Sequence, residues 1–147
     1  MIDWNQELLL IDKPKGITSF DVIRRLRRMY SDSHEGAKAP KLGHAGTLDP
    51  LATGLMLLGV GQGTKKLGDL IKLDKEYIGE VRFGETRTTG DLEGEIVEEC
   101  VVTDTSQQIE GKLVPVLRQF TGSQTLPVSA YSAIKVDGIP MYKRARK

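Results

Sequence analysis

The run GLMLLGVG, residues 54–61, constrains the fold most, because it carries no polar side chain before its final glycine. It is far shorter than the roughly 20 residues needed to cross a bilayer. A short apolar run of this kind, bounded by glycines, reads as a buried strand. Such a strand needs neighbours. ELLLID, residues 7–12, reads as a second short buried strand. Between them, Val22, Ile23, Leu26 and Met29 or Tyr30 recur at helical spacing, which predicts a helix over roughly 20–30. Thr18 and Asp21 supply a capping box for its start, and Arg24, Arg25, Arg27 and Arg28 fall mostly on the opposite face.

The later elements are weaker. SDSHEGAKAPK is a polar loop, and TKKLGDLIKL, 64–73, reads as a short amphipathic helix. EYIGEVRFG, 76–84, alternates Tyr77, Gly79, Val81 and Phe83 against Ile78, Glu80 and Arg82, which predicts a half-exposed strand. TRTTGDLEGE is a turn-rich loop, and EIVEECVV a second strand of the same kind. Residues 106–120 look helical, with Gly111 and Pro115 predicted to break them. Strand-like pieces flank the turn pair Asp137-Gly138. No repeat or low-complexity segment is visible. Strands outnumber helices without strict alternation, so the expected class is α+β with a mixed or mostly antiparallel sheet and flanking helices.

At 147 residues the chain is long enough for one domain with a real core. An apolar share of 39% and a charged share of 28% are those of an ordinary globular protein. Cys100 is the only cysteine, which excludes an internal disulfide and fits a reducing compartment. MIDWNQELLLIDK has no basic leader and does not read as a signal peptide. The net charge of +1 conceals segregation: residues 13–43 carry eight Lys and Arg against three acids, and residues 74–110 eleven acids against three bases. Four more bases lie among the last five residues. The basic regions suit a polyanion or are simply solvated surface.

The chemistry concentrates just before the apolar run, in GHAGTLDPLATG, residues 43–54. Asp49, followed by Pro50, has the pattern of a helix N-cap with proline at the first helical position. Read functionally, it is a carboxylate ionised at neutral pH, able to act as nucleophile or base without special tuning. The glycines allow close approach to a bulky ligand or a positive φ. His44 could contact a base or a phosphate, or merely pack. GVGQGTKK sits between strand and helix like a phosphate loop, but fits neither GxxxxGK[ST] nor GxGxxG. His34 and His44 are poorly spaced for a metal, and no metal is expected.

Five ordered segments resemble the TruB family of pseudouridine synthases. They are LLIDKPKGITSFDVIRRLRR, GHAGTLDPLATG with GVGQGTK, KEYIGEVRFG, the loop holding Thr86, Thr88, Asp91 and Gly94, and YSAIKVDG with Tyr142 and Ala145-Arg146. The LATG variant looks more like the bacterial stand-alone branch than the guide-RNA-dependent one. The resemblance implies a pseudouridine synthase fold and isomerisation of a uridine in the tRNA T loop, uridine 55, in the cytoplasm, with no cofactor and no metal. It places Asp49 as the catalytic aspartate, Tyr77 as the ring that stacks on the target base, and His44 near the space left by the flipped nucleotide. Lys65 falls near the RNA, Asp91 is a polar residue near the site, and Lys13, in the K-P-x-G-x-T-S segment, is an RNA contact. It also implies that residues 1–147 are the N-terminal portion of the catalytic domain. The later half, which supplies an arginine thought to pair with the aspartate, and a C-terminal PUA-type domain would then be absent. An exposed sheet edge would favour self-association. Arg87, where the family commonly has aspartate, and Leu126-Pro127-Val128-Ser129, in place of Q-x-P-P, are departures. The alternative is a fragment that binds RNA or helps tRNA fold without chemistry.

Overall fold

A computed structural model describes residues 2–5, 7–132 and 134–145, so Ala133 of the YSA segment, Arg146 and Lys147 lie outside the described residues. The chain divides into two compact units, Met1–Tyr77 and Ile78–Lys147.

The first unit is built as its apolar pattern requires. β1 (Leu8–Lys13) pairs antiparallel with β3 (Gly54–Val60), and β2 (Leu42–His44) pairs with the other side of β3, giving the order β1-β3-β2. The apolar run thus becomes the central strand, with Leu58 wholly buried. Helix α1 (Ser19–Ser33) contributes Val22, Ile23 and Leu26 to a core completed by Leu9, Leu42, Met56, Leu58 and Val60. Removing a buried leucine side chain from such a core costs about 2–5 kcal/mol. The face of β1 and β3 turned from this core leaves Leu10 and Leu55 exposed.

Helix α1 starts where the sequence predicts. The Thr18 hydroxyl accepts from the Asp21 amide, while the Asp21 carboxylate accepts from the Thr18 amide at 2.9 Å and hydroxyl at 2.6 Å. The expected helix over 64–73 is instead a 3₁₀ turn, Gly61–Lys65, followed by a single turn, α2 (Leu67–Leu70). Packing dictates that turn: a Cβ on Gly63 would lie 1.9 Å from the Glu7 carbonyl oxygen. The glycines of GVGQGTK therefore fit the turn under the sheet.

The most unusual interior group is Lys13, at the end of β1, whose residue has no solvent exposure. Its ammonium donates to the carbonyls of Ile17 at 2.8 Å, Pro14 at 3.1 Å and Pro50 at 3.3 Å. Three acceptors match its three protons, the condition under which a buried cation is tolerated. The expected RNA contact at Lys13 is corrected accordingly: every donor is already committed inside the fold.

The second unit consists of a hairpin of β4 (Glu85–Arg87) and β5 (Ile96–Glu99), helix α3 (Ser106–Gln119), a hairpin of β6 (Lys135–Val136) and β7 (Ile139–Pro140), and α4 (Met141–Ala145). Among its described residues only Gly94 is buried. Asp137 and Gly138 have φ of 51° and 75°, the left-handed pair that a two-residue hairpin turn demands. The antiparallel pairings and flanking helices bear out the α+β class.

Two expectations are corrected. Residues 76–83 form no strand, and Ile78 is 96% exposed. Their alternation describes a surface, but a strand also needs a ladder partner. Helix α3 runs unbroken through Pro115. The ring would crowd the carbonyl four residues back, which belongs to Gly111, where there is no Cβ to restrict relief and solvent can take the freed acceptor.

Replacing Lys13 with methionine is expected to lower stability by about 2 kcal/mol, because it removes three charge-assisted hydrogen bonds to the carbonyls of Pro14, Ile17 and Pro50; an unchanged denaturant midpoint would contradict this. The Thr18 hydroxyl and amide, with Arg24, hold the Asp21 carboxyl at about 2 against an ordinary 3.8. The unfolded chain therefore binds this proton more tightly, so the box stabilises fully above 3.8 and loses its contribution as pH falls towards 2. In denaturant titrations at neutral and low pH, Asp21→Asn should show less acid destabilisation than the parent; identical pH sensitivity would refute that assignment.

Candidate active site

The connection from β2 to β3 carries His44 and Asp49 and is fixed from beneath. The Ser19 hydroxyl donates to the Leu48 carbonyl at 3.0 Å and accepts from the Leu48 amide at 2.9 Å. Ser19 is only 2% exposed, so this reciprocal pair is shielded from water. One residue beyond Asp49, the Pro50 carbonyl accepts from the Lys13 ammonium and from the Gly16 amide, the latter at 2.8 Å. The backbone is thus held on both sides of Asp49 by the segment that joins β1 to α1.

Asp49 opens a β-turn closed by the Ala52 amide donating to its carbonyl at 3.1 Å. No helix follows, so the N-cap reading of Asp-Pro does not apply here. Its side chain is exposed and has no hydrogen-bond or ion-pair partner among the described residues. Gly46 and Gly54, with φ of +103° and +118°, make the bends on either side of this presentation, in a region a side chain would strain. The result is a tethered backbone carrying an untethered carboxylate.

His44 is half-buried at the end of β2. Its Nδ1 lies against the Gly46 carbonyl oxygen. A carbonyl can only accept, so Nδ1 bears the proton, which leaves Nε2 of the neutral ring as an acceptor. His44, Asp49 and the Lys13 anchor are therefore brought to one loop. Lys65 ends the 3₁₀ turn and is exposed. Tyr77, the last residue of the first unit, is 70% exposed and lies outside any helix or strand, not on the expected strand. Nothing among the described contacts joins Lys65 or Tyr77 to the Asp49 loop.

Asp91 belongs to the second unit. It accepts from the Thr89 hydroxyl at 2.5 Å and the Glu93 amide at 2.9 Å, and these bonds hold its carboxyl below the usual range. Arg87 shapes the same loop, donating to Glu85 at 2.8 Å and to the Gly94 carbonyl at 2.9 Å. The bond to Glu85 also holds that carboxyl below its ordinary value. Both residues, as described, organise the loop.

Two grooves lie along α1 and the segment after it, and neither includes Asp49. Among the described residues no group of three or more His, Cys, Asp or Glu is placed to hold a metal, and no helix is long and apolar enough to cross a membrane. Ser19 is the residue that sequence reasoning missed. Its one signal is position: a serine directly after the N-cap is a small hydroxyl on the buried side of the first helical turn.

The chain matches the TruB family pseudouridylate synthase N-terminal domain over residues 34–147. It is 44% identical over 139 residues to a protein of Leifsonia xyli subsp. xyli, covering 95% of this chain and 44% of that one. Identity is 42% over 140 residues to a protein of Fusobacterium nucleatum, covering 95% and 45%. It is 45% over 139 residues to one of Cupriavidus metallidurans, covering 95% and 41%. Each of these relatives is named tRNA pseudouridine synthase B, and the chain spans less than half the length of each. Matched along most of its length by the family's N-terminal domain, the chain belongs to the TruB family of pseudouridylate synthases.

Proposed function

We propose that the chain carries the catalytic carboxylate of a tRNA uridine-to-pseudouridine isomerase acting on uridine 55 of the T loop, with Asp49 as the reacting group. The observation that supports this best is the combination at Asp49: backbone held at Leu48 and Pro50, side chain exposed and unpaired. A carboxylate already bonded to a cation or an amide would have to surrender that bond before reacting.

The reaction requires the N1–C1′ bond to break, the uracil to rotate, and C5 to bond to C1′. C5 then loses its proton to solvent and N1, which carries none in uridine, takes one up, so the base is isomerised without gain or loss of atoms. An Asp49 oxygen attacks C1′ or removes the C2′ proton, and either route needs the carboxylate ionised and unobstructed. A base stacked within an RNA loop is out of reach, so the nucleotide is flipped out at a cost of a few kcal/mol. Stacking on an aromatic ring returns about 1–3 kcal/mol, and the exposed Tyr77 ring has no competing partner among the described aromatic contacts. His44 Nε2 faces the same task as an acceptor beside the loop, and Lys65 offers an exposed ammonium for a phosphate. Asp91, bonded within its own Thr-rich turn, is the polar residue that the second unit offers to the substrate in this reading. Residues 1–147 serve in this reading as the N-terminal portion of the catalytic domain. The partner is the T stem-loop of tRNA and the compartment the cytoplasm. The unpaired edge of β1 is the surface through which copies would associate.

With tRNA tritiated at C5 of uridine, the protein should release tritium to solvent as pseudouridine forms. Asp49→Asn should lower that release by roughly 10⁴-fold or more while leaving tRNA affinity within about a factor of three. Normal turnover in the variant would refute the role of Asp49. Tight tRNA binding by the parent with no release at all would favour a binding module without chemistry.

A further inference from the structure

Helix α1 ends at Ser33, and residues 36–41 return beside it to enter β2. Between helix and returning segment lies a groove of about 630 Å³, with Arg27 and Ser31 on the helix side and Lys38, Ala39 and Lys41 on the other. The segment is fixed at both ends. The Gly36 amide donates to the Ser31 carbonyl at 2.8 Å, and the Lys41 carbonyl accepts from the Gly61 amide at 2.8 Å.

The chemistry of the lining is one-sided. Arg27, Lys38 and Lys41 are exposed, and none has an ion-pair partner among the described residues. Among the described residues no carboxylate lines the groove. The carboxylate of Asp32 lies towards Arg28 at 3.9 Å instead. The Ser31 hydroxyl and the amides of Lys38 and Ala39 also have no hydrogen-bond partner among the described residues. Three cations, a hydroxyl and two amides around one concavity are the donors that phosphate oxygens take. A concave wall of one sign raises the local potential above that of the same charges on a convex surface.

We infer that this groove binds the sugar–phosphate backbone of an RNA, at a place separate from the Asp49 loop. The inference rests on the proposed action on tRNA. A membrane surface fits less well, because Val22, Ile23 and Leu26 of α1 are spent on the core and its exposed Phe20 and Met29 lie outside the groove lining, too few for an inserted apolar face. Free charge without shape is the competing account, and the adjacent groove lined by Ile17, Asp21, Arg24, Arg25 and Arg28 supplies the comparison. There Asp21 already pairs with Arg24, so an acid stands among the bases.

The test is binding of an unmodified tRNA transcript by fluorescence anisotropy across a range of potassium chloride. The parent is compared with Arg27→Gln/Lys38→Gln/Lys41→Gln, and with Arg24→Gln/Arg25→Gln/Arg28→Gln. The first triple should weaken binding about tenfold or more at low salt and reduce the salt slope by about 2–3, one for each phosphate whose cation is removed. The second should change the slope by less than half as much. A first triple that binds like the parent, or equal weakening in both triples, would overturn the assignment to this groove while leaving the proposed function standing. No tRNA binding by the parent would remove the proposed function as well. Weaker binding to phosphatidylserine vesicles, with tRNA binding unchanged, would point to a membrane and also overturn it. Circular dichroism melts of both triples confirm that these exposed substitutions leave the fold intact.

Discussion

A single ammonium joins the two segments on which the site depends. Lys13 ends β1, yet its donors reach the turn leading into α1 and, 37 residues on, the Pro50 carbonyl beside Asp49. A cation is costly to bury without partners, and one with three carbonyls is costly to disturb. That asymmetry fixes the geometry: a shift of the Pro50 turn away from β1 takes one of the three acceptors from the buried ammonium. Ser19 repeats the logic with neutral groups at Leu48. The sheet supplies rigidity because β1 and β3, the strands feeding these anchors, are paired over their whole length.

This arrangement separates stability from reactivity. The backbone on either side of Asp49 is tied into the fold, whereas its carboxylate is not. The fixed backbone limits where the side chain can reach, and the carboxylate breaks no bond of its own when a ligand arrives. His44 follows the same pattern, with one ring nitrogen committed to the Gly46 carbonyl and the other left over. The remaining family positions are distributed differently. Tyr77 and Lys65 are exposed, and Asp91 is engaged in its own loop. The local geometry therefore favours Asp49 over the other positions as the reacting group proposed here.

The parts of the fold that were legible in the sequence are those specified by near neighbours. The apolar run 54–60, the 3.6-residue spacing of Val22, Ile23 and Leu26, the Thr18–Asp21 box and the Asp137-Gly138 turn each carry their own physical cause within a few residues. What was not legible depends on partners distant in sequence. Residues 76–83 alternate correctly but form no strand, since alternation cannot supply a ladder. Lys13 reads as a surface base because lysine usually is one, and its acceptors include a carbonyl no local pattern announces. The 3₁₀ turn at 61–65 is set by the backbone of Glu7, which a glycine spacing alone does not reveal. The candidate site divides in the same way: Asp49 stood out by its glycine-flanked context, while Ser19, whose role is contact across the fold, did not.

The most direct measurement is a crystal structure of the protein bound to a T stem-loop RNA whose target uridine carries an unreactive sugar. The account requires that nucleotide to be out of the stack, with an Asp49 oxygen about 3–3.5 Å from C1′ or the C2′ hydrogen and the Leu48 and Pro50 anchors unchanged. A target ribose seated elsewhere, with Asp49 still facing solvent, would contradict it.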